Sequence, residues 1–195
     1  MRKQNLHYFL LPLALIALLF AIDVFYLSPL SIEKVPQAFP DFSTKDLEGQ
    51  TYSEEIFAHH LTLVCLWVTK DPQSVEMLAD LAAWQEEESN DIQLVGLVGD
   101  MKEDSPAESL AQAKVISENL PPSFPQLLTN DSLAPFLFAI RTAPTFVFVN
   151  EQGQIVGQPI AGWEMTLIKK EAHRILSAGS PEAKQKNHLQ FQLLR

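Results

Sequence analysis

Hydrophobic positions along the chain form one long unbroken run, several short runs and a few helical stripes. From Tyr8 to Ile22 no charged residue appears, and Asp23 followed by Val24-Phe25-Tyr26-Leu27 carries the mostly apolar stretch further. That is about 20 residues, enough for a helix to cross a hydrocarbon core. Leu61 to Val68 is nearly all apolar and β-prone, which predicts a strand buried on both faces. From Val75 onward Leu78, Leu81, Ala82 and Trp84 recur at helical spacing, with Glu76, Asp80, Gln85 and Glu86 on the polar face. Ile92 to Val98 predicts a second strand. Pro106 to Asn119 predicts a second helix, with Leu110, Ala113, Val115 and Ile116 inward. Ser132 to Ala139 reads as a shorter helix. Ala143 to Ile160 reads as two strands around a turn at Glu151-Gln152-Gly153, and Trp163 to Leu176 as a closing helix. Ahead of all these, Asp41 to Ser53 reads as a small hairpin turning at Glu48-Gly49-Gln50.

The resulting order is strand, helix, strand, helix, then strand, strand, helix. The first half needs a parallel crossover and the second an antiparallel hairpin, so the fold class is α/β, a mixed central sheet with helices on both faces. The chain divides into an N-terminal membrane anchor over residues 1–28, a Pro-bearing linker over 29–39, a folded domain over 40–178 and a polar tail over 179–195. Met1-Arg2-Lys3 places positive charge ahead of the apolar span at residues 5–27. The positive-inside rule then keeps the N-terminus cytoplasmic and puts the domain on the outer face of the cell membrane, periplasmic or extracellular, held by a single pass. The competing reading is a cleaved signal peptide, although bulky residues throughout Ile22 to Phe39 offer no small-residue cleavage site.

Charge and cysteine usage narrow the chemistry. Lys and Arg total 14 against 24 Asp and Glu, for a formal net charge of −10, and no basic cluster exists to bind nucleic acid. Cys65 is the only cysteine, so no disulfide can form within one chain, and cysteine-built metal sites are excluded. The pair His59-His60 has no acidic or sulfur partner at ligand spacing, and Asp100, Glu103 and Asp104 read as an acidic loop without calcium-loop spacing. Neither a metal nor a cofactor is expected. Glu86-Glu87-Glu88 reads as a solvated helix end, and Trp67, Trp84 and Trp163 as packing residues.

Three stretches carry a family resemblance. Pro40-Asp41-Phe42 with Asp46-Leu47-Glu48-Gly49 is similar to a P-x-F-x-x-x-D-x-x-G opening. Trp67-Val68-Thr69-Lys70-Asp71-Pro72-Gln73-Ser74 is similar to W-A-T-W-C-x-x-C, matching at Trp67, Thr69 and Pro72. Thr142-Ala143-Pro144-Thr145-Phe146 and the following turn are similar to V-P-T-x-F-x-x-D-x-x-G-x-I. Together they resemble the membrane-anchored thioredoxin-like proteins of the TlpA/ResA type, in the AhpC/TSA redoxin group. The resemblance runs from about Pro40 to Leu176. It implies a thioredoxin-like fold after one transmembrane helix, with Pro144 at the family's cis-proline position.

The sequence departs from the family at both cysteine positions, which hold Asp71 and Ser74. In the family a helix N-terminus stabilises a thiolate there. Asp71 is instead a favoured N-cap and Pro72 a favoured first helical residue. Dithiol catalysis is therefore expected to be lost. What the scaffold implies instead is binding of a protein or peptide partner on the outer side of the membrane, in envelope redox or cytochrome maturation processes. Trp67, Lys70, Asp71, Pro72, Thr142, Ala143 and Pro144 are the candidate contact residues. The alternative is a single-cysteine redoxin or peroxidase acting through Cys65, whose Thr62-Leu63-Val64-Cys65 setting resembles the Thr-x-x-Cys of peroxiredoxins. A cysteine inside an apolar strand is otherwise an inert small hydrophobe.

Overall fold

The apolar run from Leu61 becomes the centre of a five-stranded sheet. The structure, a computed structural model, describes residues 37–58, 60–88 and 92–179. The expected membrane span, most of the linker, His59 and the tail from residue 180 lie outside the described residues. Among those described, no helix is long and apolar enough to cross a membrane.

The chain opens with a two-stranded antiparallel hairpin, β1 (Ser43–Lys45) and β2 (Thr51–Ser53), as the Gly-centred turn predicts. Then follow β3 (Leu61–Trp67), α1 (Pro72–Glu88), β4 (Ile92–Lys102), α2 (Ala107–Ser117), β5 (Gln126–Thr129), α3 (Ala134–Ala139), β6 (Thr145–Val149), β7 (Ile155–Ala161) and α4 (Met165–Gly179). The sheet order is β5-β4-β3-β6-β7. β4 lies parallel to β3 and β5 parallel to β4, whereas β6 runs antiparallel to β3 and β7 antiparallel to β6. This is the mixed α/β sandwich that the pattern predicts.

Every residue of β3 is buried, because the strand is central and covered on both faces. Leu63, Cys65 and Trp67 share a core with Met77, Leu78, Leu81 and Trp84 of α1, Ala113 of α2, and Ile168 and Ala172 of α4. Val64 and Leu66 face the opposite core, built with Phe39, Phe42, Phe57 and Phe136. The rings there pack edge-on or tilted, with Phe39 centred 5.1 Å from Phe57 and 4.7 Å from Phe136, a favourable aromatic arrangement.

The structure corrects several expectations. β5 was not expected, because Pro121, Pro122 and Pro125 make its approach read as loop. β4 does not end at Val98 but continues to Lys102 through a register break, so Asp100 belongs to a strand rather than an acidic loop. Val115 is 63% exposed, not inward: α2 is Ala-rich, and its contact with the core runs through Leu110, Ala113 and Ile116. The folded unit also begins ahead of Pro40. Phe39 donates its backbone N–H to Gly153, Ile155 donates to Gln37, and Ala38 bridges Gln154, so the last residues assigned to the linker lie along the outer edge of β7.

Candidate functional site

The site is built at the end of the sheet where β3 stops. Strand order reverses around β3, since β4 and β5 lie to one side and β6 and β7 to the other. In open α/β sheets such a switch point leaves a crevice at the carboxyl ends of the strands. Leu66 pairs with Thr145, so Pro144 falls one step beyond that pair, on the level of Trp67. The Ala143-Pro144 peptide is cis, as the family resemblance implies. Thr145 pairs in turn with Ala161, and the N–H of Gly162, next along, donates to the Pro144 carbonyl at 2.8 Å. The residues after Trp67, before Thr145 and after Ala161 thus converge on one rim.

The corner from β3 into α1 is a helix cap. Asp71 accepts from the backbone N–H of Gln73 at 3.2 Å and of Ser74 at 3.1 Å, and from the Ser74 hydroxyl at 2.7 Å. These are the donors that the first turn of a helix leaves unpaired. The Ser74 hydroxyl, followed by its backbone N–H and that of Gln73, holds the Asp71 carboxyl below its ordinary value. Pro72 sits at the first helical residue, where a missing N–H costs nothing. The helix N-terminus is thus filled by a carboxylate from its own chain.

The candidate residues separate into two groups. Lys70, Pro72 and Thr142 are exposed, Asp71 and Ala143 are partly covered, and Pro144 is buried in the loop beneath them. Ser74 is fully buried. Trp67 is also fully buried and cannot touch a partner: it donates its indole N–H to Gln126 Oε1 at 2.8 Å, and Gln126 donates to the Phe124 carbonyl at 2.8 Å. Cys65 lies one strand pleat deeper. Its side chain is 1% exposed, its Sγ sits 3.5 Å from Met77 Sδ, and burial pushes the thiol well above its ordinary value. A thiol held in that form is a poor nucleophile.

Two residues were missed by sequence reasoning. Asp100 accepts from the Thr69 backbone N–H and hydroxyl, a contact hidden until β4 is seen to pass Val98. Phe138, on α3 a few residues ahead of the Pro144 loop, is 78% exposed, although its position in an apolar run gave no sign of it. Among the described residues no group of three or more His, Cys, Asp or Glu is placed to hold a metal ion.

No protein-family model matches the chain, and no curated protein matches it. Solved structures do match, and they share the fold. Copper-bound Sco1 from yeast is 16% identical over 75% of this chain and 97% of its own, with a TM-score of 0.58. The exposed lipoprotein thioredoxin Etrx1 of Streptococcus pneumoniae is 19% identical over 69% of this chain and 98% of its own, with a TM-score of 0.55. StoA of Bacillus subtilis is 20% identical over 71% and 99%, with a TM-score of 0.54. The fold is thioredoxin-like. At these identities the likeness covers architecture and not activity.

Proposed function

We propose that this chain is a membrane-anchored, extracytoplasmic thioredoxin-like protein, akin to the thiol-disulfide oxidoreductases but without their dithiol. On this reading it serves as a binding or assembly partner for proteins of envelope redox or cytochrome maturation. The partner docks in the crevice between Asp71-Pro72 and the Thr142–Pro144 loop. The observation that carries the reading is the Asp71 carboxylate bonded to Gln73 and Ser74 where the fold otherwise supports a thiolate. A carboxylate in that place does not attack a disulfide, while the scaffold around it is intact. Exposed Lys70 and Thr142 would meet the partner, and an extended segment pairing with the loop backbone is the binding mode that such a rim suits.

Site-directed photocrosslinking of the full-length protein in its own membranes tests this. A crosslinker at Thr142 should trap a discrete partner, one at Glu151 on the opposite end of β6 should not, and Lys70→Glu should weaken the trap. Equal trapping from both ends would contradict the assignment.

The reading of Cys65 as a working thiol finds no support in its position. Every residue of the strand around it is buried, and its sulfur lies against the Met77 sulfur.

A further inference from the structure

We propose that Asp100 is the positioning residue of the β3–α1 corner. Through Thr69 it sets the direction in which Lys70 and the first turn of α1 face the crevice. The proposal rests on the crevice reading above and adds the device that holds that crevice in shape.

β3 and β4 run in parallel, with Trp67 beside Val98, and β4 continues past the end of β3 to Lys102. The β3 ladder ends at Trp67, and α1 begins only at Pro72. Val68 to Asp71 must bridge strand to helix without ladder bonds, and each backbone donor there needs its own partner. Asp71 donates back to the Val68 carbonyl at 3.3 Å, a single long turn bond.

The firmer tie comes from β4. The register between β4 and β5 breaks between Val98 and Lys102, and the stretch inside the break carries Gly99 and Asp100. A Cβ at Gly99 would lie 2.9 Å from Leu66 Cδ1 and 3.4 Å from the Trp67 carbonyl oxygen. A side chain there would crowd the end of Leu66, so the glycine lets β4 run close against the end of β3. That approach brings Asp100 within reach of the corner. Both of its carboxylate oxygens lie 3.1 Å from the Thr69 backbone nitrogen, and Oδ2 accepts the Thr69 hydroxyl at 2.7 Å. A charged acceptor makes these stronger than neutral bonds. The contact spans 31 residues of sequence and joins the strand that precedes the corner to the one that follows α1.

Backbone amide exchange on the full-length protein tests the assignment. Asp100→Asn and Thr69→Val should speed exchange about tenfold at residues 69–74, matching the loss of a charged hydrogen bond, and leave β5 and α4 at wild-type rates. Thr69→Ser, which keeps both donors, should behave as wild type. Unchanged exchange at the corner would overturn the proposal. So would acceleration spread evenly over the sheet, or a Thr69→Ser variant as fast as Thr69→Val.

A second readout uses introduced thiols. In an Asp71→Cys/Ser74→Cys background, adding Thr69→Val should raise the lower thiol pKa, because the helix N-terminus loses its aim; an unmoved pKa counts against the proposal. Should the double variant alone titrate as ordinary cysteines, the crevice reading fails, while the exchange measurement still decides the role of Asp100.

Discussion

The Ser74 hydroxyl donates to Asp71 at 2.7 Å, so the two residues at the positions that the resemblance to TlpA/ResA-type sequences gives to paired cysteines are bonded to each other. A three-residue spacing at a helix start suits either pair, since it places both side chains on the first turn. Here the pair completes a cap where a dithiol would be a redox couple.

The cap is pH-dependent in a defined direction. The Asp71 carboxyl is lowered in the folded state, so its contribution is present above the unfolded aspartate value of about 3.9. It is lost as pH falls through the lower folded value. Asp71→Asn keeps capping geometry without the charge. Wild type should be more stable than Asp71→Asn at neutral pH, and the gap in urea midpoint should close below about pH 4. A gap that persists at pH 2 would contradict the assignment of charge to the cap.

Cys65 titrates in the opposite sense. Burial raises its thiol, so the folded state keeps the proton to higher pH than the unfolded chain, whose cysteine ionises near 8.5. The contribution is complete below that value and declines as pH rises above it. Cys65→Ala should be less stable than wild type at pH 7, by about 1–2 kcal/mol for a small buried side chain. The difference should shrink above about pH 8.5. Cys65→Ser should cost more, about 1–3 kcal/mol, from a buried hydroxyl without a built partner. Urea denaturation across pH measures both.

The Trp67–Gln126 bond depends on a glycine. A Cβ at Gly96 would lie 1.9 Å from Gln126 Oε1, the atom that accepts the indole N–H. Gly96→Ala should therefore destabilise by about 1–3 kcal/mol through overpacking. Gln126→Ala should cost a similar amount by leaving the Trp67 donor unpaired. The two should not add, because removing the Gln126 amide frees the space that the new methyl needs. A double-mutant cycle with no coupling would contradict the geometry.

Introducing thiols at the corner asks whether the helix N-terminus acts on its occupant. In Asp71→Cys/Ser74→Cys, one thiol should titrate below the ordinary value of about 8.5 and the pair should oxidise within the chain. Ultraviolet titration of the thiolate measures it. Ordinary pKa values in a well-folded double variant would show that the corner does not aim its donors at the thiols.

Much of this was legible in the sequence, for physical reasons that differ by element. β3 and α1 are plain because a central strand is apolar throughout and a covering helix shows its stripe at Leu78, Leu81 and Trp84. Asp71 as a cap follows from residue chemistry alone, and the structure forms it. β5 was invisible because four residues behind a Pro-rich approach lack the length to show a period. Asp100 was invisible as a site residue because its partner Thr69 lies across the sheet and sequence carries no register. Trp67 could be placed at the strand end, but only packing shows that its ring turns inward to Gln126 rather than outward to a partner.

The central claim is that the domain binds through its crevice and performs no thiol chemistry, and the state of Cys65 tests it most directly. Iodoacetamide or peroxide applied at neutral pH to the folded full-length protein should leave Cys65 unmodified, with stoichiometric labelling only after denaturation. Rapid modification of the folded protein would contradict the account and place a working thiol at Cys65.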